Sequence, residues 1–287
     1  MNYETLLQKM NVYAKTFDIK CLGTTCFKRK IFAVERNLNE DFATAIFVSG
    51  THACEVITTD LLCRFLDDGL FDEIKDFNLT FVPMLNPDGV ELVENGINSV
   101  PNKFRDKVIF INGDCADFSM WKANGLGTDI NNNFDANFGT NVHSLNPASS
   151  GFIGGFPESS PEAKALADYV RRKKVFFAVA YHSKGEEIYF NFFQDKALLK
   201  RDEKIAKQFA KSTGYKIRNV EKVSSGGFKD WCVQKLKITA LTIEVGSDEL
   251  VHPIDESFLD EIYFKHKNVA KDVQFAYNEF VRFGEYK

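Results

Sequence analysis

The chain has 287 residues, 44% of them apolar, including 28 phenylalanines, so it can build one large α/β domain or two smaller ones. Its formal net charge of −4 and isoelectric point near 5.8 exclude the strongly basic surface typical of nucleic-acid-binding proteins. Two short basic runs, at 28–30 and 171–174, are isolated and are interpreted as solvated surface.

The N-terminal segment and the cysteines bear on the compartment. The segment MNYETLLQKMNVYAKTF lacks the continuous apolar stretch of a signal peptide, and no segment approaches the roughly 18 apolar residues that a membrane span requires. Without a CxxC pair, the cysteines are interpreted as free thiols in a reducing compartment. They are Cys21, Cys26, Cys54, Cys63, Cys115 and Cys232. We therefore predict a cytoplasmic protein with no membrane partner, unless a signal segment precedes this sequence.

The order of apolar runs and loop signals predicts the fold. Four runs of strand length each end at a loop signal, and longer stretches of helical period separate or follow them. The predicted strands are 43–48, 79–85, 175–181 and 238–245, and the predicted helices are 53–67, 160–173 and 254–284. Strands that are apolar throughout indicate a mostly parallel sheet covered on both faces, with the ligand site beyond its carboxyl ends. Because no repeat or linker interrupts the chain, we expect residues 1–287 to form a single domain.

The segment 100–156 differs from the rest of the chain. It is rich in Asn, Gly, Asp and Phe and shows little periodicity. A structureless segment of this length is unusual in a compact domain unless it forms functional loops. We therefore predict long loops that cover the carboxyl ends of the strands.

The first candidate site residues, His52 and Glu55, come directly after the strand at 43–48. The two residues between them allow a loop or a first helical turn to present an imidazole and a carboxylate to one metal ion. The alternative is a surface pair at the start of a helix, a pattern that a motif this short often produces by chance. Taken alone, the pair favours that alternative.

His182 ends the apolar strand in AVAYHSKGEEIYF. A lone histidine in this position can simply be a core residue with one ring nitrogen satisfied. The loop residues Ser-Lys-Gly that follow instead indicate that it lies at the exit of the strand. Together with His52 and Glu55 it gives three protein ligands and leaves a position open for water, which is typical of a catalytic zinc site.

Glu244 ends the last predicted strand, in ITALTIEVGS. A buried carboxylate without a partner is unfavourable, so it must pair with a cation, hold a proton or face a site. A salt bridge to a neighbouring lysine would satisfy it. The functional interpretation is a base that takes a proton from a water molecule activated by the metal.

These segments, in this order, resemble the zinc metallocarboxypeptidase family over about residues 39–245. Six collinear segments carry the resemblance: HACE, VPMLNPDGVE, WKANGLGTDINNNF, GFPESSPEAKAL, AYHSKGEEIYF and SGGFKDWCVQKLKITALTIEVGS. The third and fifth are most similar to the bacterial branch that cuts γ-D-glutamyl–diamino acid bonds in peptidoglycan peptides. The resemblance implies a three-layer α/β/α sandwich with a mixed, mainly parallel sheet.

The resemblance also implies roles for five residues. His52, Glu55 and His182 would bind one zinc ion. Glu244 would be the general base and would later protonate the leaving amine. Lys122 occupies the place of an arginine that polarises the scissile carbonyl; it is still a cation, but it lacks the bidentate fork of a guanidinium.

Four further positions are implied to contact the substrate. Asn131 keeps the family residue, whereas Asn132 replaces the arginine that grips a terminal carboxylate, which argues against plain release of C-terminal residues. In an ungapped alignment from Glu244, the family's mobile tyrosine falls at Lys222 and the base of its side-chain pocket falls at Lys229. A lysine at that base favours a carboxylate on the departing residue. Diaminopimelate carries such a carboxylate, and an acidic amino acid would fit equally well.

Three functions are compatible with this pattern. The leading hypothesis is a cytoplasmic zinc amidohydrolase that cuts small peptides derived from peptidoglycan and needs no protein partner. A deacylase of the aspartoacylase type shares the metal arrangement but usually keeps its arginines. A peptide-binding module that has lost catalysis would have no reason to retain all of His52, Glu55, His182 and Glu244.

Overall fold

The structure, a computed structural model, describes residues 1–140, 144–219 and 225–284. Lys222 lies outside the described residues. Within them, eight strands form one sheet in the order β1-β2-β4-β3-β5-β8-β6-β7. The strands are β1 Asp18–Thr24, β2 Lys30–Arg36, β3 Thr44–Val48, β4 Asn78–Val82, β5 Val175–Ser183, β6 Glu187–Tyr189, β7 Lys216–Arg218 and β8 Thr239–Val245.

The centre of the sheet is parallel. Strands β4, β3, β5 and β8 run side by side in the same direction, whereas β2 joins β4, and β6 joins β8, in antiparallel fashion. All residues of β3 and β4 are buried, which explains why these strands are mostly apolar and do not alternate between apolar and polar residues. The mixed, mainly parallel sheet predicted from the sequence is confirmed.

Helices cover both faces of the sheet. They are α1 Tyr3–Tyr13, α2 Val56–Asp67, α3 Pro87–Asn95, α4 Asn102–Ile111, α5 Pro161–Arg171, α6 Lys196–Thr213, α7 Phe228–Gln234, α8 Leu259–His266 and α9 Val269–Arg282. One buried cluster joins α1, α2, α6, α8 and α9 to the sheet, and a second joins α5 and α7 to its other face. The predicted three-layer α/β/α arrangement is therefore present.

Two predicted segments differ from the structure. The segment 100–156 is mainly loop, as expected, but it begins with α4, whose Val108 packs in a small cluster with Phe118 and Trp121. The C-terminal region 254–284 is two helices, because the chain leaves the helical path between His266 and Val269. No helix within the described ranges is long and apolar enough to cross a membrane.

Candidate metal centre and active site

His52 and Glu55 lie in the turn that connects β3 to α2. The backbone N–H of Glu55 donates to the carbonyl of His52 (3.2 Å), which closes the turn immediately before the helix. This turn brings the His52 Nδ1 atom to 2.7 Å from the Glu55 Oε1 atom. The spacing of two residues, which is uninformative alone, therefore places both side chains at one point.

His182 completes the set from the carboxyl-terminal end of β5. Its Nδ1 atom lies 2.9 Å from Glu55 Oε2 and 3.3 Å from His52 Nδ1. One ligand atom from each residue lies within 4.8 Å of the others, so the three form a possible metal site. Separations near 3 Å allow all three atoms to lie about 2.0–2.2 Å from one ion. Two imidazoles and one carboxylate, with a fourth position left open, fit a catalytic zinc ion.

Asp129 supports the metal set from outside. Its Oδ1 atom lies 3.3 Å from the Nε2 atom of His52, and its Oδ2 atom accepts a hydrogen bond from the Gly151 N–H (2.9 Å). A carboxylate that binds the second nitrogen of a metal-ligating imidazole fixes both its orientation and its tautomer. Asp129 is the first residue of DINNNF, the last part of the segment WKANGLGTDINNNF, and the sequence predicted no role for it. Its place two residues before Asn131 in that segment is the sign in the sequence that Asp129 lies near the site.

The electrostatics of the set favour a cation. Burial disfavours the imidazolium of His52, but Glu55 and Asp129 outweigh this effect and raise the pKa of His52 to about 10. The pKa of Glu55 is held well below its usual range, since the two imidazoles outweigh the effect of its burial. Burial lowers the pKa of His182. The space between the three side chains therefore stabilises positive charge.

Glu244 lies beside His182, because β5 and β8 pair with these two residues in register. Burial and the neighbouring Glu55 carboxylate raise the pKa of Glu244 to about 8, although His52 and Lys122 oppose them. Burial disfavours the ammonium of Lys122, but Glu55, Cys54, Asp129 and Glu244 together raise its pKa. The possible metal site therefore has two neighbours, the Glu244 carboxyl group, whose pKa is raised, and the Lys122 cation.

The profile of the zinc carboxypeptidase family, Peptidase_M14, matches residues 3–263 of this chain. The chain belongs to the zinc carboxypeptidase family. This is a family of zinc-dependent metallopeptidases, so the predicted zinc cofactor and the predicted enzyme class are confirmed.

Among curated relatives, this zinc carboxypeptidase is 33% identical over 230 residues to the gamma-D-glutamyl-L-diamino acid endopeptidase 1 of Lysinibacillus sphaericus, a match covering 74% of this chain and 56% of that protein. It is 30% identical over 223 residues to the uncharacterized protein YqgT of Bacillus subtilis, covering 71% and 58% respectively. The chain thus spans somewhat more than half the length of these relatives.

Two solved structures show the same fold. Bovine thrombin-activatable fibrinolysis inhibitor, in complex with tick carboxypeptidase inhibitor, aligns with a TM-score of 0.76 at 20% identity, covering 96% of this chain and 95% of that one. The murein-tripeptide amidase MpaA of Escherichia coli O157 aligns with a TM-score of 0.59 at 18% identity, covering 88% and 91%. At these identities the likeness concerns the fold.

The loop that carries Lys122 in this zinc carboxypeptidase is held by two asparagines. Asn86 donates from Nδ2 to the carbonyls of Thr51 (3.1 Å) and Ala123 (2.9 Å), so it joins the His52 turn to the Lys122 loop. The Ala53 N–H also donates to the Lys122 carbonyl (3.2 Å). These contacts explain the NPDG and WKAN motifs, which the sequence analysis used only as marks of resemblance.

Asn124 stabilises the same loop through hydrogen bonds of its own side chain. Its Oδ1 atom accepts from the Leu126 and Thr128 N–H groups (3.1 and 3.0 Å), and its Nδ2 atom donates to Glu162 Oε2 (2.9 Å). Burial raises the pKa of Glu162 to about 7, and its Oε1 atom has no hydrogen-bond partner among the described residues. A buried carboxyl group therefore supports the loop.

Of the predicted substrate residues, the three that the structure describes, Asn131, Asn132 and Lys229, lie at the start of α7. Asn131 Oδ1 accepts from the N–H of Phe228, the first residue of α7 (3.2 Å). The backbone of Asn132 packs against Gly226, where φ is 75° and an added Cβ would lie 2.3 Å from the Asn132 carbonyl oxygen. Only glycine fits that contact, so the turn bearing both asparagines is fixed against α7.

Lys229 is buried within this group. Its ammonium donates to the Asn191 carbonyl (3.0 Å), forms an ion pair with Asp230, and lies 5.4 Å from the centre of the Phe192 ring. The family resemblance implied that Lys229 lies at the base of the side-chain pocket. Its neighbour Asp230, for which the sequence predicted no role, forms an ion pair with it.

Proposed function

We propose that this chain hydrolyses an amide bond beside a diamino acid in peptides derived from peptidoglycan, with a γ-D-glutamyl-diaminopimelate peptide as the preferred substrate class. The observation that carries the reaction type is the convergence of His52, Glu55 and His182 next to Glu244. Support for the substrate class comes from the endopeptidase of Lysinibacillus sphaericus, whose name specifies a γ-D-glutamyl-diamino acid bond. The asparagine at position 132 fits the same proposal, because it leaves no guanidinium there to grip a terminal carboxylate.

In this proposal His52 and His182 bind zinc through Nδ1, Glu55 binds it through its carboxylate, and Asp129 orients His52. Zinc at this position would polarise the scissile carbonyl and make a water molecule more acidic. Glu244 accepts the proton of the attacking water and returns it to the departing amine, which a carboxylate with raised pKa does well near neutral pH. The Lys122 ammonium stabilises the negative charge that develops on the carbonyl oxygen.

The departing residue would lie against the start of α7. There the Lys229–Asp230 pair presents a cation and an anion side by side, and Asn131 and Asn132 form the adjoining wall. Lys229 would bind the side-chain carboxylate of diaminopimelate, and Lys222 would add a second positive charge. A substrate with an apolar departing residue would offer Lys229 no carboxylate and would place an apolar group against this buried pair.

We further propose that residues 1–287 act as one peptidase domain in the cytoplasm, on small peptides and without an obligate protein partner. The six cysteines are free thiols in the structure, which supports a reducing compartment.

The experiment is a substrate panel. The zinc-loaded protein is incubated with a γ-D-glutamyl-diaminopimelate peptide, an acyl-amino acid and a peptide with a free apolar C-terminal residue, and the products are identified by mass spectrometry. We expect the first substrate to be cut far better than the others. Faster release of the apolar C-terminal residue, or preferred hydrolysis of the acyl-amino acid, would contradict the proposed substrate class.

A further inference from the structure

The loops that leave β5 and β8 are joined to each other beside the metal set. The N–H groups of Gly185 and Glu186 both donate to the Gly246 carbonyl (2.8 and 3.1 Å), and the ammonium of Lys184 donates to the Asp248 carbonyl. Lys184 follows the ligand His182 by two residues. This junction therefore holds a lysine at the same edge of the sheet as the metal set.

A third histidine lies near the same edge. His252, on the chain between β8 and α8, is half-buried, and its buried Nδ1 atom has no hydrogen-bond partner among the described residues. The loop that carries His252 is joined to Lys184 through the Asp248 carbonyl. A buried polar atom without a partner is costly, so a turn of the ring that brings the Nδ1 atom to a ligand would be stabilised. None of the sequence motifs had singled out His252.

The two strand-exit loops and α7 approach the metal set from different sides. Along β5 and β8 the side chains alternate, and Tyr181 and Ile243 pack into the core cluster beneath α8 and α9. Their neighbours His182 and Glu244 consequently point to the opposite face, which α5 and α7 cover. Lys229 belongs to that α7 face, whereas the chain carrying His252 leads into α8. A peptide lying across the metal set would therefore have Lys229 on one side and Lys184 with His252 on the other.

We propose that Lys184 and His252 bind a free carboxylate on the residue that supplies the scissile carbonyl. This inference rests on the proposed function, which assigns the Lys229 side to the departing residue. In an ordinary α-peptide, the α-carboxyl group of the acyl residue is itself the scissile carbonyl, so no free α-carboxylate remains on that residue. A γ-linked glutamyl residue keeps its α-carboxylate free, so a cation and a ring N–H on the acyl side would recognise the linkage itself.

The acidic side chains near Lys184 and His252 leave the Lys184 ammonium able to bind a substrate carboxylate. The Glu187 carboxylate is bound by Arg218 (Nε to Oε1, 2.6 Å) and by the Tyr189 hydroxyl (2.5 Å). The Asp248 carboxylate lies against Gly185, where an added Cβ would be 3.4 Å from its Oδ1 atom. Lys184 uses the Asp248 carbonyl as its acceptor, and an ammonium has three donors, so it can also bind a substrate carboxylate.

The test uses two peptides that differ in one group. One is L-alanyl-γ-D-glutamyl-diaminopimelate, and the other carries a carboxamide in place of the free α-carboxylate of its glutamyl residue. We expect the kcat/KM of the zinc-loaded protein to be about ten- to a hundredfold higher on the acid than on the amide. Lys184→Met and His252→Phe should each reduce this ratio by about tenfold, and Lys184→Arg should restore most of it. Lys75→Met, at the opposite end of the sheet before β4, is the control and should leave the ratio unchanged.

Binding of the acyl product gives a readout that does not depend on turnover. Calorimetry on the zinc-loaded protein should show L-alanyl-D-glutamate binding at least about tenfold more tightly than its α-amide, with the difference lost in Lys184→Met. Equal binding of acid and amide overturns the inference, even when both substrates are cut and the proposed function stands. Equal losses on both substrates in the variants would assign Lys184 and His252 to the fold instead. If neither peptide is cut, the proposed substrate class fails, and the calorimetric comparison still decides the carboxylate site.

Discussion

The metal set and the substrate-binding group at α7 are built in different ways. His182 and Glu244 lie at the ends of buried parallel strands, so the register of β5 with β8 fixes them. Asn131 lies on a turn that the Phe228 N–H joins to the short helix α7, and the Asn191 carbonyl holds Lys229 on that helix. The sheet itself therefore positions the residues proposed for catalysis, whereas local packing positions the residues proposed for substrate specificity. Changes at the two regions should therefore affect different measurements.

The largest effect is expected at Glu244. In Glu244→Gln the amide cannot accept a proton, so kcat should fall by about 10²–10⁴-fold while the zinc content stays the same. Zinc content is measured by mass spectrometry, and turnover is measured on the γ-D-glutamyl-diaminopimelate peptide. Glu203→Gln, on the exposed face of α6, is the control. Loss of zinc from Glu244→Gln would mean that this residue supports the site rather than the reaction.

A smaller effect, on metal affinity, is expected at Asp129. Asp129→Asn keeps the shape of the side chain but removes the carboxylate that faces His52 Nε2, so zinc affinity should fall by about 10–100-fold. Competition with a chelator measures it, and Asp117→Asn in the same region is the control. Removal of the metal should abolish activity, and added zinc should restore it in both variants. An unchanged affinity in Asp129→Asn would show that Asp129 does not orient a zinc ligand.

At the α7 group, Lys229→Ala should affect specificity. Loss of a charge-assisted contact costs about 1.5–3 kcal/mol, so kcat/KM on the diaminopimelate peptide should fall by about ten- to a hundredfold. The fall should be clearly smaller on an analogue whose departing residue has no side-chain carboxylate. Because Lys229 also pairs with the buried Asp230, the free energy of unfolding must be measured beside the kinetics. Equal losses on both substrates would make Lys229 a structural residue.

The smallest effect concerns stability rather than turnover. Burial raises the pKa of Glu162 to about 7 from an ordinary value of 4.5, so the folded state holds its proton more tightly than the unfolded state. Its favourable contribution is fully present below pH 4.5 and is lost as the pH rises through about 7. Between pH 5 and pH 8 the wild type should lose about 1–3 kcal/mol more than Glu162→Gln in urea unfolding. The exposed Glu94→Gln should behave like the wild type, and parallel curves for Glu162→Gln and wild type would contradict the assignment.

The sequence predicted the central architecture because the central buried strands are mostly apolar runs that end at loop signals. His52, Glu55, His182 and Glu244 could be placed because parallel strands present their carboxyl ends at one edge. The structure adds the geometry of these four residues: the turn at His52 brings His52 and Glu55 together, and the pairing of β5 with β8 brings His182 and Glu244 together.

The supporting contacts could not be predicted in the same way. The neighbours of Asp129 and His252 are distant in the chain, and Asp230 is adjacent to Lys229 without any periodic pattern, so the positions of these three side chains depend on how loops pack. Helix α4 was missed for a related reason, since its few apolar side chains face a small cluster of loop residues rather than the sheet. Local composition describes such segments poorly when tertiary contacts determine their structure.

The side chain of Asn86 has a thermodynamic consequence. Because one amide joins the turn of His52 to the loop of Lys122, with the Ala53 N–H as a second tie, neither segment can shift without straining the other. Occupancy of the metal position and affinity for the oxygen that Lys122 would face are therefore linked, and linkage is reciprocal. In this architecture the ion would pre-organise the cation opposite it, and a bound substrate would in turn slow the escape of the ion.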